Sequence, residues 1–173
     1  MGNNPVSALL VIDVQQGQFN GATPVYLADQ VIRNILLLIE RARQGGAPVI
    51  FVQHSTEKFF QIGSVDWQFH PSIQPANGEL IIQKHHSSSF DGTSLHADLQ
   101  ALGVTRLVLC GLATQYCVKA ACLAALELGY QVLLVEDAHS SNSKDAAALI
   151  EKVNALAHKA GTSLAPTQAV TFA

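Results

Sequence analysis

Apolar residues fall in short unbroken runs, and helically spaced segments separate them. The runs are ALLVID (8–13), PVIFVQ (48–53), ELIIQK (79–84), RLVLCG (106–111), QVLLVED (131–137) and QAVTF (168–172). Each has the length and β-branched content of a strand buried on both faces. Between the first two, Thr23-Pro24 marks a helix start with proline in the first turn. Leu27, Val31, Ile35, Leu38 and Ile39 then recur at helical spacing up to Gly45-Gly46. Thr93 or Ser94 caps a short helix that stops at Gly103, and residues 115–128 form a helix closed by Gly129. An amphipathic helix over 143–160 ends at Gly161. Residues 54–77 break the alternation, with Gly63, Pro71, Pro75 and Asn77-Gly78 as breakers. A loop that long in a compact domain marks a functional segment.

Wholly apolar strands alternating with helices predict a parallel sheet covered on both faces by right-handed crossovers. The expectation is one α/β domain over residues 1–173, a three-layer αβα, Rossmann-like arrangement with six parallel strands. Ligands in such folds bind beyond the carboxyl ends of the strands, where the strand order switches.

Composition narrows the function. The 173 residues are 49% hydrophobic and 13% charged, with a net charge of −3, which favours a folded chain over a disordered one. The Lys and Arg residues are scattered, so no basic surface for nucleic acid or anionic membrane is expected. No apolar run is long enough to span a bilayer, and MGNNPVSALLVIDVQQ lacks the charged start of a signal peptide. Three cysteines, an odd number, fit free thiols in a reducing cytoplasm. IDVQQGQFNG lacks the spacing of G-x-G-x-x-G, and neither a P-loop nor G-x-S-x-G occurs.

Polar residues at strand ends are the candidate chemistry. Asp13 ends the first strand, Lys84 ends the third, and Cys117 follows the fourth by a short loop at a helix start. A cysteine attacks a carbonyl as its thiolate, and an ordinary thiol is only a few per cent ionised at neutral pH. A helix start and a nearby ammonium favour the anion. Asp13 is suited to take the proton and return it to a leaving amine. Backbone N–H groups at 113–117 can bind an oxyanion. A structural Asp13–Lys84 salt bridge and a cysteine acting only as apolar filler explain the same residues singly. Cys110 and Cys122 fit the filler role. The spacing 110/117/122 has no C-x-x-C pair for a metal. No histidine is placed at an obvious strand end, although His85 and His86 follow Lys84.

Three stretches carry a resemblance. ALLVIDVQ, KHHSSSFDGTSL and CGLATQYCV resemble, in order and spacing, the motifs of the isochorismatase-like cysteine hydrolases. These include nicotinamidases, N-carbamoylsarcosine amidases and ureidoacrylate amidases. The resemblance implies an isochorismatase-like hydrolase fold and a catalytic triad of Asp13, Lys84 and Cys117. It also implies a cis peptide at Leu112–Ala113 that aims the Ala113 N–H, alongside that of Cys117, at an oxyanion. The implied reaction is acyl transfer through a thioester, releasing ammonia or an amine from a small amide, ureide or carbamoyl substrate, with no cofactor. A homo-oligomer, dimer or tetramer, is implied as well.

Departures narrow it further. Where nicotinamidases carry an Asp-x-His metal motif, this chain reads Gln53-His54-Ser55. His54 and His70 remain without that carboxylate, so no metal is expected and a metal-dependent nicotinamidase is the lesser alternative. The branch that hydrolyses isochorismate lacks a catalytic cysteine, and Cys117 argues against it. The alternative of another class is a catalytically silent relative that binds a metabolite or regulates a partner. Phe19 and Tyr116 are expected pocket walls. Trp67 fits either stacking on a planar substrate or packing beneath the loop, and His86 either donates to a substrate carbonyl or lies free on the surface. Gln15 is expected to orient the long loop.

Overall fold

The apolar runs pair side by side as β1 (Ser7–Ile12), β2 (Val49–His54), β3 (Leu80–Lys84), β4 (Arg106–Leu112), β5 (Gln131–Ser140) and β6 (Ser163–Ala165). A computed structural model describes residues 5–172. Every pairing is parallel, in the order β3-β2-β1-β4-β5-β6. The chain winds outward from β1 to β3, then returns to the other side of β1 for β4 to β6. The order therefore switches between β1 and β4, which opens a crevice at their carboxyl ends.

Helices α1 (Gln16–Phe19), α2 (Ala28–Gln44), α3 (Leu95–Ala101), α4 (Lys119–Glu127) and α5 (Ala146–Ala160) complete the layers. Alternation along the strands divides the core in two. Ala8, Leu10 and Ile12 of β1 pack with Leu95 and Leu99 of α3, Ala121 and Ala125 of α4 and Ala157 of α5. Leu9 and Val11 face the other way, onto Ile35, Leu38 and Ile39 of α2. Cys122 fills the first half and Cys110 the second.

Four boundaries differ from those the sequence suggests. The sixth strand is Ser163–Ala165, not 168–172. Gly161, at φ +113, turns the chain straight into pairing with Leu133–Val135. Pro166 follows, and Asp137 Oδ1 accepts hydrogen bonds from the N and Oγ1 of Thr167 at 2.7 and 2.6 Å, bending the chain away from the sheet. Val170 and Phe172 are still buried against the α2 side, so their apolarity reports burial and not pairing. Pro24 does not open α2, because the preceding segment is tied to β5. Tyr26 N donates to Ser141 O, and Ser140 Oγ donates to Tyr26 O. Leu27 then enters the left-handed region at φ +51 before the helix begins. The short α1 was unmarked by any apolar period. The helix expected over 115–128 opens as a π-turn, Thr114–Val118, before α4.

Gly111 has a packing role. At φ +123 it lies so close to β1 that a Cβ there would sit 2.7 Å from Ile12 N and closer still to Ile12 O. Glycine alone lets the two site-bearing strands approach so tightly. Among the described residues no helix is long and apolar enough to cross a membrane.

Candidate active site

Three strand ends converge on one point. Asp13, directly after β1, is fully buried at φ +49, a region aspartate tolerates better than bulkier residues. Its N–H donates to Val52 O at 3.0 Å, which pins the turn to β2. Lys84 closes β3, also fully buried. Its Nζ lies 3.0 Å from Asp13 Oδ2 and donates to Cys117 Sγ at 3.1 Å. Two carbonyls, His86 O at 2.9 Å and Ser87 O at 3.1 Å, also accept from the ammonium. A buried charge held by this many partners is compensated where it stands.

A fourth side chain joins them. His54 ends β2 and is the register partner of Lys84. Its Nδ1 lies 3.3 Å from Lys84 Nζ, 3.6 Å from Asp13 Oδ2 and 3.7 Å from Cys117 Sγ. The sequence reading placed no histidine at a strand end; β2 runs one residue further than the apolar run and delivers one. Gln15 anchors this corner. Its Nε2 donates to His54 O and Trp67 O at 2.9 and 2.8 Å, and its Oε1 accepts from His54 N at 2.8 Å. It thereby ties the end of β2 to the loop over 54–77.

Asp13, His54 and Cys117 each offer a ligating atom, all within 4.8 Å of one another. Lys84 Nζ lies 3.0 to 3.3 Å from all three and brings a positive charge to this donor set. His70 does not join it; its ring packs on Phe19 at 4.8 Å.

The thiol is the least settled charge in the site. Burial and the Asp13 carboxylate push Cys117 up to about 12, while Lys84 pulls it down. The direction is opposite to the one a helix start and a lysine alone lead one to expect. At neutral pH the resting group is the thiol. Asp13 is paired with Lys84 by distance, but neither of its oxygens receives a well-aligned hydrogen bond. Its lone pairs are open to a proton.

The π-turn shapes the other wall. Ala113 O accepts the N–H of Tyr116 at 3.1 Å and that of Val118 at 3.2 Å; the Cys117 N–H is not among its donors. The Leu112–Ala113 peptide bond is cis. Behind the turn, Thr114 Oγ1 lies 2.8 Å from His139 Nδ1, and His139 Nε2 lies 2.9 Å from Asn154 Oδ1, linking the turn to β5 and α5. Burial lowers His139 to about 4, so the ring is neutral.

Cys117 and Ala113 open onto a cavity of about 650 Å³, also lined by Gln18, Asn20, His54, Phe60, Asp66 and Tyr116. Among the expected walls only Tyr116 reaches it, and it is 64% exposed. Phe19 packs instead into the core and lines a neighbouring cleft with Ile32 and His70. Trp67 is a loop anchor: its Nε1 donates to Ser55 Oγ at 3.0 Å, and its carbonyl accepts from Gln15 and Gln53. His86 is exposed and contributes only its carbonyl, to Lys84. Its ring lies outside the cavity lining. Reasoning from sequence missed His54, Asn20 and Asp66. A polar residue ending a strand could have flagged His54; nothing local marks the other two.

Known proteins resemble this chain in sequence and fold. Residues 7–167 match the Isochorismatase domain. The chain is 39% identical over 137 residues to the uncharacterized isochorismatase family protein YddQ of Bacillus subtilis (strain 168), covering 76% of each chain. It is 38% identical over 142 residues to a streptothricin hydrolase of Streptomyces noursei, spanning 79% of this chain but only 50% of that protein. Its fold matches the crystal structure of an isochorismatase (PP1826) from Pseudomonas putida KT2440 with a TM-score of 0.88 and 29% identity, over 98% of this chain and 94% of that one. Sequence motifs, parallel sheet and domain match agree that this chain belongs to the isochorismatase-like hydrolase family.

Proposed function

We propose that the chain is a metal-independent cysteine amidohydrolase. It cleaves a small amide, ureide or carbamoyl compound through a thioester on Cys117. The observation that carries this reading is the placement of one ammonium, Lys84 Nζ, 3.0 Å from the Asp13 carboxylate and 3.1 Å from the Cys117 sulfur.

A thiol held near 12 does not ionise beforehand, so proton and carbon–sulfur bond change together. Sγ attacks the carbonyl carbon as its proton passes to Asp13. The carbonyl oxygen becomes an oxyanion, received by the N–H groups of Ala113 and Cys117. When the tetrahedral intermediate collapses, the C–N bond breaks and Asp13 returns the proton to the leaving nitrogen. Water then gives a proton to Asp13 and attacks the thioester carbonyl. The carboxylic or carbamic acid leaves, and the thiol regains its proton. Lys84 stays charged throughout and balances whichever of Asp13 and Cys117 is anionic.

The test is ammonia release from a panel of amides, ureides and carbamoyl compounds, with acid-quenched samples weighed by mass spectrometry. Wild-type protein is expected to accumulate an acyl adduct that maps to Cys117, and Cys117→Ala to lose both adduct and turnover. Retention of full turnover by Cys117→Ala overturns the mechanism. Activity that survives exhaustive chelation supports its independence of metal.

A further inference from the structure

Resting on that reading, we infer that the cavity selects amides whose acyl chain carries a positive charge, with Asp66 as the recognition carboxylate. The charge pattern of the walls points there. Asp66 lines the cavity together with amide and aromatic side chains, and no Lys or Arg is among the lining residues. Lys84 is consumed by its own buried partners.

The carboxylate is held in place. Asp66 Oδ1 accepts from Asn20 Nδ2 at 3.0 Å, which leaves Oδ2 for a ligand. The Asp66 carbonyl accepts from Gly17 N at 3.0 Å. Gly17 is what permits the approach: a Cβ there would lie 2.8 Å from both Asp66 Cβ and Phe60 Cε1. Phe60 and Tyr116 line the same cavity. A carboxylate in a cavity that also carries aromatic side chains is suited to an ammonium. A substrate carboxylate would meet the same anion with no cation to offset it.

The experiment compares matched acyl chains: 6-aminohexanamide, the neutral heptanamide and the anionic adipamate, with shorter ω-amino amides for reach. Binding is measured by calorimetry on Cys117→Ala protein, so it does not depend on turnover. Acyl adduct formation by wild-type protein is followed separately. The inference expects 6-aminohexanamide or a shorter homologue to bind roughly tenfold better than its neutral match, and adipamate worst. Asp66→Asn should bring the cationic-to-neutral ratio close to one, and Asp66→Lys should turn the preference toward adipamate. Equal ratios in Cys117→Ala protein with and without Asp66→Asn overturn it, as does no measurable binding of any ω-amino amide. A thioester on Cys117 from other amides would in either case leave the reaction standing and only this selectivity refuted. Charge-selective binding without any adduct would refute the reaction alone.

Discussion

Replacing Asp13 by Asn separates two roles that one carboxylate plays. In the proposed mechanism it holds the Cys117 proton on as a fixed charge and removes that proton as a base during attack. Asp13 lies within 4.8 Å of Sγ. At an effective dielectric of about 20, two unit charges at that distance interact by about 3.5 kcal/mol, or about 2.5 pH units. Removing the charge should therefore bring the thiol from about 12 toward roughly 9.5. At pH 8 the thiolate fraction then rises about 300-fold, and the lower nucleophilicity of a less basic thiolate trims the gain to roughly 20-fold. The assay is the rate of iodoacetamide labelling at Cys117, located by peptide mass, after circular dichroism has shown the variant to be folded. Cys110 and Cys122 are fully buried and serve as internal controls. Asp13→Asn should label faster than wild type while its turnover falls by roughly 10² to 10⁴. Slower labelling of Asp13→Asn would refute the reasoning, since it would mean that Asp13 already holds the proton in the resting protein.

Two further outcomes concern stability. Gly111→Ala should destabilise the fold by about 3 kcal/mol or more in denaturant titration, because φ +123 and the Ile12 backbone both exclude a Cβ; a loss under about 1 kcal/mol would show that β1 and β4 separate freely. His139 is lowered from 6.5 to about 4, so the unfolded chain binds its proton first on acidification. Its contribution is fully present above pH 6.5 and fades between there and pH 4, reaching roughly 3 kcal/mol. Comparing unfolding free energies at pH 7.5 and 4.5, His139→Gln should lose less than wild type by about that amount.

Much of this was legible because burial leaves a plain signature. Runs such as ALLVID and PVIFVQ are apolar at every position but the last, and both faces of their strands are covered. Asp13 and Lys84 stood out because each ends an apolar run where the sheet ends, and Cys117 because it follows such a run at a helix start. The same signature misplaced the last strand. Val170 and Phe172 are buried without pairing, and hydrophobicity cannot tell the two apart. It also misled over Phe19, which has the right identity for a pocket wall but packs against the core, and it left Trp67 open between substrate and loop, where the structure has it anchoring the loop. Asp66 reaches the cavity where hydrogen bonds fold the loop back on α1, among them Gly17 N to Asp66 O, a contact between residues 49 apart in sequence. The thiol's basicity was hidden for a related reason. A helix start and a lysine are visible in one dimension, whereas the depth of burial and a carboxylate from another strand are not.

Lys84 stands on an edge strand of the sheet, bonded to β2 on one flank and, among the described residues, to no strand on the other. Leu80 and Ile81, earlier on the same strand, are partly open to water. Peeling such a margin takes less free energy than melting the interior. The ammonium that balances aspartate and sulfur thus rests on one of the least secured strands of the molecule. Mild denaturant should abolish the proposed activity while the helices and inner strands still give a native spectrum.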